Sequence, residues 1–172
     1  RQIAAAYPNV TVRSEDISGT SQTLAALPRR AAEAPRVGAL PILAPDTDLV
    51  VSVNLVSQLA EISQAWLQAR TEITEGDRRS FAAEIVRRHV QWLSALKCRV
   101  CLISDIERHY VDPNGTPLEP WDSLHGVALP EGGTEWLWDL APAGESHPEL
   151  AIQTTVRGLS NFNCNALEEP AK

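Results

Sequence analysis

Residues 48 to 59 read Asp-Leu-Val-Val-Ser-Val-Asn-Leu-Val-Ser-Gln-Leu, and they constrain the fold more than any other stretch of the chain. An apolar run opens after an acid, closes on a polar Asn and passes without a break into a helical pattern. Val50, Val51 and Val53 are β-branched and clustered, which favours strand. Leu55, Leu59, Ile62 and Trp66 recur at steps of three and four residues, as one face of a helix does. A strand that is apolar on both faces and feeds straight into a helix belongs to an open α/β sheet covered by helices. Asn54 then stands at the strand's carboxyl end, the edge at which ligands bind in doubly wound folds.

The 172 residues suffice for one domain with a substantial core and are few for two. With 44% hydrophobic and 22% charged residues the composition is that of an ordinary globular protein. No stretch approaches the roughly 18 to 20 apolar residues of a bilayer-crossing helix. A net charge of -7 provides no broad basic field for phosphate backbones, so nucleic acid is not indicated. Arg78, Arg79, Arg87 and Arg88 form only a local basic strip. The three cysteines are odd in number, which fits a reducing compartment, and a cytoplasmic location is expected. Cys98 and Cys101 make one C-x-x-C, but on a strand residues three apart point to opposite faces, which argues against a zinc or redox site, and no metal is expected.

Further strands and helices follow from the same patterning. Val10 and Val12 alternate with polar residues and predict a short strand ending at Ser14-Glu15-Asp16-Ile17. Arg1 to Tyr7 reads as the tail of a helix stopped at Pro8, and Ser21 to about Ala34 as a helix before a Pro-punctuated connection. One helix is expected over Leu55 to Ala69. A second carries an apolar stripe of Phe81, Ile85, Val86, Val90, Trp92, Leu93 and Leu96. Cys98 to Ile103 predicts a strand with Ser104, Asp105 and Glu107 beyond its end. Residues 135 to 140 and 149 to 157 predict a closing antiparallel pair. From Ser160 onward the chain reads as a loose polar tail.

This succession of elements resembles the carboxyl-terminal part of a class I S-adenosylmethionine-dependent methyltransferase. Residues 9 to 17 resemble the family's third strand with its acidic adenine-side motif, Asp48 to Asn54 its fourth, Cys98 to Asp105 its fifth, and residues 135 to 157 its sixth and seventh. The resemblance implies a Rossmann-like, open, mostly parallel sheet with flanking helices and a C-terminal antiparallel β-hairpin. It implies a single methyltransferase-like domain over residues 1–160, followed by the tail at 161–172. The family's Gly-rich first turn and second-strand acid have no counterpart in the sequence, so the domain's amino-terminal part is expected to precede Arg1. The function implied is methyl transfer from S-adenosylmethionine to a small-molecule or protein acceptor; the alternative is a non-catalytic scaffold working with a partner subunit.

By the resemblance, Asp16 and Ile17 border the adenine, the carboxylate accepting from the exocyclic amine and the aliphatic group covering the ring. Asp16 equally suits a loop or helix cap. Asn54 would face the transferred methyl group and hold an acceptor atom in line, or it caps the following helix. Ser57 and Gln58 line the same cleft or form the helix's polar side. Asp105, Glu107 and His109 alternate, which on an extended chain places them on one side, where Asp105 could serve as a general base. The lone His125 and His147 carry little weight. Trp66 and Trp92 fall on helical apolar faces, and Trp136 and Trp138 share a strand face that suits core packing. Trp121, in a Pro-flanked loop, is the aromatic residue best placed to cover a ligand.

Overall fold

A computed structural model describes residues 7–163 of the chain. The expected helix at Arg1 to Tyr7 falls almost wholly outside them. The elements are α1 (Ser21–Ala25), β1 (Leu49–Val53), a 3-10 turn (Val56–Gln58), α2 (Glu61–Arg70), α3 (Glu75–Ala95), β2 (Arg99–Val111), β3 (Trp121–Asp122), β4 (Thr134–Ala141) and β5 (Ala151–Leu159). They form an α/β fold around one open five-stranded sheet in the order β1-β2-β5-β4, with β3 also paired to β2.

The parallel part of the sheet is smaller than expected. β1 and β2 run parallel, Leu49 opposite Arg99 through Val53 opposite Ile103. β2 with β5, β4 with β5 and β2 with β3 are all antiparallel. The sheet is therefore mixed rather than mostly parallel, and chain length between strands explains it. Only between β1 and β2 does the chain insert helices long enough for a parallel crossover, whereas the short loop at 142–150 returns β4 directly alongside β5.

α3 begins at Thr74, whose Oγ1 accepts from the Asp77 amide at 3.2 Å, and Glu75 and Asp77 complement the helix dipole. Its buried stripe of Phe81, Ile85, Val86, Val90 and Leu93 serves two apolar clusters. One joins Val86, Val90 and Leu93 to Val100, Leu102 and Leu159 on the sheet and to Phe162 just beyond β5. The other joins Phe81 and Ile85 to Leu24, Leu59, Leu67 and Ile73. The helix thus fixes both the sheet and the connection that follows β1.

Several local expectations give way. Residues 10–12 form no strand, because no described segment pairs with them, and Val12 is 65% exposed. The helix expected at Ser21 to Ala34 stops at Ala25, close to Pro28, which disfavours helical backbone at Leu27. The helix expected from Leu55 divides into the 3-10 turn and α2. The tail expected from Ser160 is anchored at its start: Phe162 is fully buried and its amide donates to the Val100 carbonyl.

Candidate functional site

β2 outruns its parallel neighbour. β1 pairs with it only as far as Ile103, so residues 105–111 overhang the carboxyl edge of the parallel pair, held by β5 on one side and β3 on the other. The register against β5 steps from Asp105 opposite Val156 to Glu107 opposite Thr155, which leaves Ile106 as a bulge. The extra residue resets the alternation. Asp105 and Arg108, opposite Val156 and Thr154, share a face, although residues three apart on a regular strand would not.

That bulge breaks up the alternating set expected at Asp105, Glu107 and His109. Glu107 and His109 remain together, with Oε1 and Nε2 2.9 Å apart. Asp105 instead lies near Arg108 Nη2 at 3.9 Å and Ser57 Oγ at 3.5 Å, while Arg108 Nη1 is 3.8 Å from Glu61 Oε1. Asp105 is only 3% exposed. Burial raises its carboxyl pKa above the ordinary value, against the pull of Arg108 and Ser57, and its Oδ1 has no partner.

A cavity of about 320 Å³ opens between α2 and the overhang, walled by Glu61, Arg108, Tyr110, Trp121, Ser123 and His125. Trp121 stands directly across from Arg108 in the β2/β3 pairing and is 59% exposed. Tyr110 follows Arg108 on the same side of β2. The Asp122 carboxylate accepts from the Leu124 amide at 2.8 Å and from the Gly126 amide, and within that turn His125 adopts φ 53°. Burial lowers the His125 pKa, while Asp122 and Glu61 pull it up. Ser123 is 4% exposed, and neither its hydroxyl nor Arg108 Nε has a partner.

On the opposite flank of α2 lies a more open hollow of about 540 Å³, bordered by Asp16, Ile17, Leu55, Gln58, Ile62 and Trp66. Asp16 is largely committed to its own loop: Oδ1 accepts from the Ser18 amide and hydroxyl and the Gly19 amide, and Oδ2 from the Ser21 amide at 2.7 Å. Burial works against its charge, but these bonds prevail and hold the carboxyl at about 2. His89, buried in α3, bonds through Nδ1 to the Ile17 carbonyl at 3.2 Å and ties this loop to the helix.

Asp16, Asn54 and Asp105 therefore do not line one cleft. The 3-10 turn and α2 divide the space, with Ser57 and Glu61 on the Asp105 side and Gln58 and Ile62 on the Asp16 side. Asn54 precedes this divide at the tip of β1. Its amide donates to the Ile103 carbonyl at 2.8 Å, its φ is 49°, and its Oδ1 is buried without a partner. The side chain thus does not cap the turn that follows. His147 is accounted for locally, Nδ1 accepting from the Glu149 and Leu150 amides. Trp136 and Trp138 are 40% and 44% exposed on the edge strand β4 rather than core.

Sequence patterning did not single out Glu61, Arg108 or Tyr110, because the bulge that aligns Arg108 with Asp105 leaves no trace in hydrophobic periodicity. No protein-family model, no curated protein and no solved structure matches the chain.

Proposed function

We propose that this chain carries out S-adenosylmethionine-dependent methyl transfer to a small-molecule or protein acceptor. Asn54 carries the reading: a left-handed residue whose buried side-chain Oδ1 has no partner, at the tip of a parallel strand and immediately before the turn that separates the two hollows. Strained backbone and an unsatisfied buried oxygen at such an edge mark a place where a ligand completes the bonding. The hollow beside Ile17, Leu55, Ile62 and Trp66 suits the planar apolar face of a purine. Asp16 Oδ2 accepts one protein bond and has a lone pair left for an exocyclic amine. S-adenosylmethionine, when bound, supplies an electrophilic methyl group. The chain's own part is to hold both the cofactor and the acceptor at Asn54, to exclude water, and to receive a proton at His125 or Asp105.

The second reading, a non-catalytic scaffold, is favoured by the two sheet edges. Leu49, Val51 and Val53 on β1 are about half exposed, as are Trp136, Leu137 and Trp138 on β4, surfaces suited to a partner subunit. Calorimetric titration with S-adenosylmethionine separates the two. Methyl transfer predicts saturable heat at one site, weakened about tenfold in Asn54→Ala by loss of one buried hydrogen bond. No heat from the unmodified chain would leave the scaffold.

A further inference from the structure

The cavity under Trp121 has a character that the methyl-transfer reading does not assign. Its two aromatic walls, Tyr110 and Trp121, offer π faces. Glu61 is the one carboxylate among its lining residues and Arg108 the one guanidinium; Asp105, outside the lining, lies 3.5 Å from Ser57 and 3.9 Å from Arg108, and Asp122 holds the turn that carries His125. Arg108 is held near both Glu61 and Asp105, so its charge is largely spent on them. The buried Ser123 hydroxyl adds an unused hydrogen-bonding group at the wall. Aromatic faces beside a carboxylate whose guanidinium neighbour is shared with a second carboxylate favour cations over anions. A volume of about 320 Å³ is at the small end of ligand sites and suits a compact molecule or one side chain.

We infer that the Trp121 cavity binds an organic amine as its ammonium ion, an aromatic or alkyl portion lying against Trp121 and Tyr110 and the nitrogen directed to Glu61 and Ser123. As an acceptor site, this rests on the methyl-transfer reading; as a binding site, it stands on the cavity alone. For transfer, His125 would receive the ammonium proton, freeing the nitrogen lone pair to take the methyl group that S-adenosylmethionine supplies, with S-adenosylhomocysteine as the leaving group.

The test uses three probes of one shape and different charge: phenethylamine, 2-phenylethanol and phenylacetate. Binding is read without cofactor from the indole N–H resonance of Trp121, assigned with Trp121→Phe. Phenethylamine should bind about tenfold more tightly than phenylacetate, with 2-phenylethanol between them, and Glu61→Gln should narrow the gap about fivefold. Phenylacetate binding as well as phenethylamine, an unchanged preference in Glu61→Gln, or no response to any probe would overturn the inference. Amine binding in a protein silent to S-adenosylmethionine would uphold the site and remove methyl transfer, so the two failures are distinguishable.

Discussion

Asp16 shows how one carboxylate can organise a segment without secondary structure. Three backbone amides and one hydroxyl converge on it, and the first turn of α1 grows from the last of these bonds. Its folded pKa of about 2 lies below the ordinary 3.8. The folded state therefore binds fewer protons than the unfolded chain in that interval, and the stability Asp16 contributes is present above pH 3.8 and lost as pH falls through 2. Asp16→Ala should cost about 1 to 2 kcal/mol at pH 7 and much less near pH 2, measured by urea denaturation at both pH values. Equal losses at the two would mean that packing, not charge, is what Ala removes. Asn54 is the opposite case: its side chain gives the fold no hydrogen bond through Oδ1, which is why a ligand is the economical explanation of it.

Among the elements, β2 decides most. Its first half was legible because Val100, Leu102 and Ile103 form an apolar run, as were β1, β4 and β5 and the long stripe of α3. Its second half was not, since residues 105–111 are polar or half-buried and become strand only through pairing with β5 and β3. The same dependence misled in the other direction at Val10 and Val12, where alternation is present but no described partner is. Trp121 drew attention from its Pro-flanked setting; Arg108 could not, because its orientation depends on the bulge at Ile106. The start of β2 relies on a residue assigned to the tail. Asn163, 5% exposed, accepts from the Val100 amide and donates to the carbonyls of Leu96 and Cys98. Asn163→Ala should therefore destabilise the fold by roughly 3 kcal/mol, because three backbone groups lose their partner together. Thermal or urea unfolding will show it, and a loss below about 1 kcal/mol would mean that water replaces the amide.

At the scale of the whole molecule, α3 holds two clusters against each other, and the turn after β1 passes between two hollows that open on either flank of α2. Among the described residues no helix is long and apolar enough to cross a membrane. The sequence indicated an α/β sheet with a ligand edge, but it merged two hollows into one cleft, because strand tips alone do not reveal how a helix divides the space above them. Methyl transfer requires that division to be bridged at Asn54. A titration with S-adenosylhomocysteine followed by amide ¹H–¹⁵N resonances tests this most directly. Concentration-dependent shifts should concentrate at Ile17, Asn54 and Leu55 and extend to Ser57. Shifts confined to other parts of the chain, or none at saturating ligand, would contradict it.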